Sequence, residues 1–181
     1  RTSNFSIDLL FSSLAETHHE NVIGIILSGS ANDGTRGLKE IKQAGGITFA
    51  QDESAKFSSM PNSAIAEGIV DFVLSPKEIG IELTRISQHP LIINKTIKKI
   101  PEAEIENSNP ELKVILQLLH KRKNVDFSHY KMNTIKRRML RRMLVHKIKT
   151  LKEYIEILTN QSNEVDILYQ DLLINVTAFF R

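Results

Sequence analysis

One short loop of the sequence carries an acid in a position suited to catalysis. Residues 22–28, VIGIILS, form a continuous apolar run typical of a buried parallel strand, and GSANDG follows directly. In parallel sheets the working groups collect at the carboxyl ends of the strands, which is where Asp33 lies. Two interpretations stay open from the residues alone. Either Asn32-Asp33-Gly34 is a turn whose side chains cap the next helix, or Asp33 orients the histidine of a Ser-His-Asp hydrolase.

A second candidate surface is a run of cations in the later part of the chain. Residues 121–152 hold twelve Lys and Arg side chains and a single acid, Asp126. At helical spacing Arg138, Arg141 and Arg142 share one face, and apolar side chains occupy the other. We therefore expect a helix that packs with one side and offers cations with the other, to a phosphate backbone or a carboxylate-rich protein. The predicted helix itself, NTIKRRMLRRMLVHKIK, contains no Phe, Tyr or Trp for base stacking, which argues against nucleic acid.

The composition excludes several classes of protein. The chain has 181 residues, of which 41% are hydrophobic and 25% charged, as in ordinary globular proteins. It has no cysteine, which excludes disulfides and cysteine-ligated zinc, and its six histidines lack the spacing of metal ligands, so we expect no metal. No apolar run reaches the ~20 residues of a membrane span, and no secretory signal opens the chain. These features predict a soluble, cytoplasmic protein without membrane insertion.

The two halves of the chain differ in charge and in glycine content. Residues 1–90 hold seven basic and eleven acidic side chains, whereas residues 91–181 hold seventeen and ten. All eight glycines lie between Gly24 and Gly80. We predict an α/β part over 1–90, a linker over 91–110 and a helical domain over 111–181. The linker sequence, LIINKTIKKIPEAEIENSNP, changes from apolar to mixed charge and ends in Asn-Ser-Asn-Pro, as is typical of connecting segments.

The elements that position Asp33 alternate between helix and strand. A first helix is predicted over 7–20 with Ser6 as its N-cap, and a second helix is ended by Gly45 and Gly46. Alternation of this kind predicts a partial parallel sheet with crossover helices. The predicted strands are 22–28, 47–51 and 69–75, and the later helices lie in MPNSAIAEG and over 76–89.

The sequence pattern of the second half predicts four helices. One of them, over 150–160, begins with a capping box, Thr150-x-x-Glu153, in which each side chain accepts a hydrogen bond from the backbone N–H of the other residue. The predicted helices cover 111–123, a segment from Ser128 or Asn133 to about Lys147, 150–160 and 163–175.

Residues 24–79 closely resemble the C-terminal part of the CheB-type protein-glutamate methylesterases of bacterial chemotaxis. The resemblance lies in the GSANDG loop, the AGG-T-AQ strand and the segment MP-SAI--G-VD-VL. It implies that Asp33 is the triad acid, which supports a histidine while a serine attacks the glutamyl methyl ester of a receptor. Because the family's serine and histidine precede this region, we expect the chain to hold one triad member of three and to be inactive in isolation.

Residues 125–181, ending in NVTAFFR, are similar to the N-terminal helical domain of the CheR-type chemoreceptor methyltransferases. The resemblance implies that NVT-FFR enters the S-adenosylmethionine site, so that Asn175, Thr177 and Arg181 contact the cofactor. The guanidinium of Arg181 suits the methionine carboxylate. In the family the arginine-rich helix lies against the glutamate-bearing helices of the receptor, which gives a docking role to Arg137, Arg138, Arg141 and Arg142.

The two resemblances predict the middle of a CheB–CheR fusion that reversibly methylates chemoreceptor glutamates. Its partners are then the cytoplasmic helices of a chemoreceptor, and its cofactor is S-adenosylmethionine. We expect the chain to continue beyond Arg181 into a catalytic domain against which Phe179 and Phe180 pack. Two alternatives remain: a receptor-binding and connecting module without chemistry of its own, and a helical module that binds nucleic acid.

Overall fold

A computed structural model of the chain describes residues 5–89, 110–127, 130 and 132–173. The chain divides into two compact units, Arg1–Arg85 and Ile86–Arg181. The predicted fold class, a partial parallel sheet with crossover helices followed by a small all-helical region, is confirmed. All but the last residue of the predicted linker 91–110 lies outside the described residues. Over the described parts of the chain, no helix has the length and apolar character that crossing a membrane requires.

Three parallel strands in the order β1, β2, β3 form the sheet of the first unit, with Ile25 opposite Phe49 and Phe49 opposite Phe72. Helices precede, connect and follow the strands, as the alternating sequence pattern predicts. The elements in chain order are α1 (Ser6–His18), a 3-10 turn (His19–Asn21), β1 (Ile23–Ile26), α2 (Thr35–Ala44), β2 (Ile47–Gln51), α3 (Ser59–Ala66), β3 (Phe72–Leu74) and α4 (Pro76–Ser87).

The core of this unit lies around the middle strand. Every residue of β2 is buried, which explains why its sequence shows no alternation of apolar and polar side chains. The ring of Phe49 stacks on that of Phe72 with 4.9 Å between centroids. From α2, Leu38 and Ile41 are fully buried, so this helix presents one apolar face to the core. The sheet and α2 thereby fix the ends of the loop that carries Asp33.

The described residues of the second unit form four helices: α5 (Pro110–Lys123), α6 (Met132–Val145), α7 (Leu151–Asn160) and α8 (Ser162–Leu173). Each contributes buried apolar side chains to one core, for example Leu119, Met139, Leu158 and Leu168. The predicted capping box at the start of α7 is confirmed, because the N–H of Glu153 donates to Thr150 Oγ1 and the N–H of Thr150 donates to Glu153 Oε2.

Candidate functional site

The loop between β1 and α2 turns through two residues in the left-handed region of backbone space. Gly34, the N-cap of α2, has a φ of 91°, as the turn interpretation of Asn32-Asp33-Gly34 requires. Ala31 has a φ of 70°, which costs a residue with a side chain about 1–2 kcal/mol. Strained backbone of this kind clusters at functional sites and persists only where the surroundings impose it. The strained backbone at Ala31 therefore identifies the loop that carries Asp33 as a candidate functional segment.

The carboxylate of Asp33 caps the helix that precedes it in the chain. Asp33 Oδ2 accepts from the N–H of Ile7 at 3.1 Å, and Asp33 Oδ1 accepts from the N–H of Asp8 at 3.0 Å. The Asp8 carboxylate in turn accepts from the N–H of Gly37 in α2 at 2.8 Å. The prediction that the Asx side chains of the turn cap the next helix is wrong for Asp33, because its carboxylate reaches back to α1.

The predicted N-cap of α1 is also wrong. The helix begins at Ser6 itself, and its N-cap, Phe5, has no side-chain hydrogen bond. The first N–H groups of α1 therefore find their acceptor in Asp33, far along the sequence. A local capping rule cannot identify an acceptor that the tertiary fold supplies.

This geometry leaves Asp33 able to accept a further hydrogen bond. A carboxylate offers about four lone-pair positions, and each oxygen of Asp33 uses one of them on α1. The carboxylate lies at the start of α1, where the helix dipole is positive. In the described part of the chain no histidine bonds to Asp33, and His18 and His19 are both exposed. Asp33 therefore presents an anchored carboxylate with unused acceptor positions at the carboxyl edge of the sheet.

A second loop is tied to the first at the carboxyl edge of the sheet. The N–H of Phe57 donates to Ser28 Oγ at 2.9 Å, and the N–H of Gly29 donates to the carbonyl of Phe57 at 2.8 Å. The N–H of Ser28 donates to Gln51 Oε1 at 2.9 Å. The Ser28 hydroxyl therefore serves as an acceptor between loops, and nothing activates it as a nucleophile. Gln51 and Phe57 could not be singled out from the sequence, because both lie more than twenty positions from Ser28 in the chain.

The arginine side chains predicted to form an exposed face on α6 are mostly buried. Arg138, Arg141 and Arg142 are 1%, 2% and 8% exposed, and Arg137 is half-buried. The prediction that this face is offered to a partner is therefore wrong for the first three residues. Their guanidinium groups turn inward because two carboxylates of α8, Glu164 and Asp171, are buried against them.

Glu164 is the centre of a buried polar network that links three helices. Its Oε1 accepts from Arg142 Nε at 2.8 Å and from the Tyr154 hydroxyl at 2.9 Å, and its Oε2 contacts Arg142 Nη2 at 2.5 Å and His146 Nε2 at 2.8 Å. Burial raises the pKa of Glu164, but the hydrogen bonds from Arg142, His146 and Tyr154 outweigh it and leave the pKa below the ordinary value. Burial is also the main reason that the pKa of Tyr154 is raised, so its hydroxyl keeps the proton that it donates.

Asp171 is the second anchor between α6 and α8. Its Oδ2 lies 2.5 Å from Arg141 Nη1, and both side chains are almost fully buried. Burial lowers the pKa of Arg138 to about 10, against an opposing attraction from Asp171. Glu164 and Asp171 are seven residues, or two helical turns, apart on α8 and so share one face, and their partners Arg142 and Arg141 are adjacent residues of α6. That spacing is the sequence signal that could have predicted buried pairing.

The residues predicted to bind the cofactor are Asn175, Thr177 and Arg181. All three lie outside the described part of the chain. They follow α8, whose last described turn carries Asp171. Within the described residues, no cluster of three or more His, Asp or Glu side chains could hold a metal ion.

Two family models match separate parts of the chain. Residues 1–83 match the family model of the CheB methylesterase. Residues 110–173 match the model of the CheR methyltransferase all-alpha domain. The two matched regions follow one another in a single chain. Both resemblances inferred from the sequence are confirmed.

Three proteins illustrate what the chain is similar to. An uncharacterized 104.1 kDa protein of Rhodobacter capsulatus is 33% identical over all of this chain, which covers 21% of that protein. A putative protein-glutamate methylesterase/protein-glutamine glutaminase of Leptospira interrogans is 42% identical over 48% of this chain and 45% of its own length. The Thermotoga maritima CheB methylesterase catalytic domain is 36% identical, with a TM-score of 0.41, over 42% of this chain and 41% of that structure. The chain thus spans less than half the length of each.

Proposed function

We propose that this chain is the central part of a longer protein that both forms and hydrolyses methyl esters on chemoreceptor glutamates. The observation that carries the proposal is the occurrence of a CheB region and a CheR domain in one chain. The Rhodobacter capsulatus relative aligns with the chain from end to end, which supports the two regions belonging together. Opposed activities on one substrate would allow the same protein to set the methylation level of a receptor.

In the esterase half, Asp33 acts as the triad acid. Two backbone N–H groups hold its carboxylate at the carboxyl edge of the sheet, where it can accept from the Nδ1–H of a histidine. The histidine and the serine come from the part of the longer protein that precedes this chain. The serine attacks the ester carbonyl and methanol leaves, after which water hydrolyses the acyl-enzyme to the glutamate. Asp33 fixes the histidine's tautomer and stabilises its positive charge during both steps.

In the transferase half, the residues that follow α8 in the sequence would hold S-adenosylmethionine. An amide, a hydroxyl and a guanidinium suit this cofactor as a set of polar groups: Arg181 would bind the methionine carboxylate, and Asn175 and Thr177 would supply further hydrogen bonds. The cofactor supplies an activated methyl group, and the protein's contribution is to place the receptor carboxylate in line with it.

Receptor docking by the helical domain then depends on cations that the solvent can reach. Of the four arginines predicted to dock, Arg137 is the one that is not buried. The exposed Lys149 and Lys152 flank the start of α7 and supply further positive charge. Acidic helices of a receptor are a complementary partner, and the attraction weakens as salt increases.

A methyl-transfer cycle tests both halves with one labelled group. The longer protein is given S-adenosylmethionine with a tritiated methyl group and an unmethylated receptor fragment. Label should first enter the receptor and then appear as methanol. Arg181→Ala should block incorporation, whereas Asp33→Asn should permit incorporation and block release. Label that never enters the receptor would contradict the transferase role, and release that does not depend on Asp33 would contradict the esterase role.

Nucleic-acid binding is the competing outcome for the basic domain. Binding of random duplex DNA as tightly as receptor fragment at ~0.15 M salt would favour it. We expect receptor binding to be the tighter of the two and to weaken in Lys149→Glu combined with Lys152→Glu. These two side chains are exposed, so the substitutions leave the buried core of the domain intact.

A further inference from the structure

An aromatic ring stands exposed at the edge of the sheet that carries Asp33. Phe57 is 55% exposed and Leu27, directly after β1, is 47% exposed. Single apolar side chains on a surface need no explanation. These two belong to loops that are bonded together, because Phe57 exchanges hydrogen bonds with Ser28 and Gly29. Both apolar side chains are therefore carried by one hydrogen-bonded pair of loops.

The backbone beneath the ring is fixed from several directions. The carbonyl oxygen of Gly29 accepts two further hydrogen bonds. One comes from the N–H of Met60 at 3.2 Å and the other from the Ser59 hydroxyl at 3.2 Å. The Ser28 N–H is held by Gln51 of β2. A ring on such a frame loses little conformational freedom when a partner covers it, which favours binding.

A cation lies beside the ring. Lys56 Nζ is 5.6 Å from the centroid of Phe57, within the range of a cation–π interaction, and the Lys56 side chain is exposed. The surface thus combines an apolar patch with a positive charge. A fitting partner presents apolar side chains and carboxylates together.

We propose that Leu27, Lys56 and Phe57, the Phe57 surface, bind the helical receptor segment that carries the methyl esters. The inference rests on the proposed esterase function, since it takes the substrate class from there. On an amphipathic helix, apolar side chains and glutamates recur three and four residues apart, so one segment can cover Phe57 and bring a carboxylate to Lys56. The Phe57 surface shares the carboxyl edge of the sheet with Asp33, so a helix held there keeps its ester near the triad acid.

Kinetics of the longer protein test this assignment. Phe57→Ser should raise the KM for methylated receptor by about tenfold, as loss of a central interface aromatic does, with kcat unchanged. Hydrolysis of a small glutamyl methyl ester, which cannot reach the Phe57 surface and Asp33 together, should be unaffected. Phe57→Tyr should keep the wild-type KM. Ile81→Ser is the matched control, because Ile81 is 62% exposed on α4 and lies outside the Phe57 surface.

The charge of Lys56 provides an independent readout. Lys56→Gln should raise the KM for the receptor at low salt, and the difference from wild type should shrink as salt rises, because an exposed charge pair is screened. An equal effect at all salt concentrations would contradict an electrostatic role for Lys56.

The outcomes separate this inference from the function on which it rests. If the wild-type protein releases methanol from the receptor and Phe57→Ser has the wild-type KM, the inference is overturned and the proposed function stands. A fall in small-ester hydrolysis by Phe57→Ser would also overturn it, by assigning Phe57 to the framework of the site. If the wild-type protein releases no methanol from the receptor, the proposed function fails and the inference fails with it.

Discussion

Asp33 and Asp8 each cap the helix to which the other is attached. Asp33 precedes α2 and accepts two N–H groups from the first turn of α1, while Asp8 belongs to α1 and accepts the N–H of Gly37 in α2. The exchange satisfies three backbone donors that helix starts leave without partners. It also fixes the candidate triad acid against two helices at once, so the carboxylate is positioned before any histidine reaches it.

Removing either carboxylate should destabilise the first unit. Asp8→Ala and Asp33→Ala should each lower the free energy of unfolding by about 1 kcal/mol, the usual value of an N-terminal cap. Urea denaturation of the chain measures the loss. Glu16→Ala, an exposed change in the same helix α1, should alter stability by less than about 0.5 kcal/mol. If Asp8→Ala and Asp33→Ala unfold at the same urea concentration as wild type, the caps contribute nothing.

The approach of α1 to α2 should reverse the usual effect of a helical Gly→Ala change. Alanine normally stabilises a helix interior by about 1 kcal/mol relative to glycine. At Gly37 in α2, however, an added Cβ would lie 2.8 Å from the carbonyl oxygen of Asp8, so the two helices must separate. We expect Gly37→Ala to lower the thermal unfolding temperature.

Gly80 is the matched position for that test. It lies in α4 and has nothing within 4 Å of an added Cβ. Gly80→Ala should therefore raise the unfolding temperature or leave it unchanged. Stabilisation by Gly37→Ala and Gly80→Ala alike would show that the helices are not in close contact at Gly37.

Two acids on α8 should differ sharply in their effect on stability. Asp171→Asn leaves the buried guanidinium of Arg141 without its counter-charge and should cost about 3–5 kcal/mol. Asp166→Asn removes an acid that is 54% exposed and paired with Lys123, and should cost less than about 1 kcal/mol. Chemical denaturation followed by circular dichroism compares the two. Equal losses would mean that the Arg141–Asp171 pair is not buried.

The lowered pKa of Glu164 predicts sensitivity to acid. Between its folded-state and unfolded-state pKa values the unfolded chain binds more protons, so stability rises with pH in that range. The contribution of Glu164 is present above its unfolded pKa, near 4.3, and is lost as the pH falls through its folded-state pKa. Glu164→Gln lacks this titrating carboxylate, so its stability should decline less steeply than that of wild type as the pH falls below about 4.3. Parallel curves of urea midpoint against pH would contradict the prediction.

Most of the fold could be predicted because its determinants are local. The strand over Ile47–Gln51 has the predicted limits, Gly45 ends α2, and the Thr150–Glu153 capping box starts α7. Each depends on residues within a few positions of one another. The side-chain period of a strand or helix and the chemistry of its ends are enough to find such features.

The errors concern contacts between residues far apart in sequence. The acceptor for the start of α1 is Asp33 rather than Ser6, and the partners of Arg141 and Arg142 are Asp171 and Glu164. Counting charges along α6 alone suggested an exposed cationic face, because the acids that neutralise it belong to α8. Only the packing of the helices shows which charges are paired inside the domain.

The central claim is that Asp33 is the acid of the esterase triad, and one comparison of rate constants tests it most directly. Methanol release from methylated receptor should fall on the order of 10⁴-fold in Asp33→Asn, because the histidine loses the carboxylate that fixes its tautomer. Asp8→Asn should stay within roughly threefold of wild type, since its amide oxygen still accepts from the Gly37 N–H. Equal rates for the two variants would contradict the account and leave Asp33 with a purely structural role.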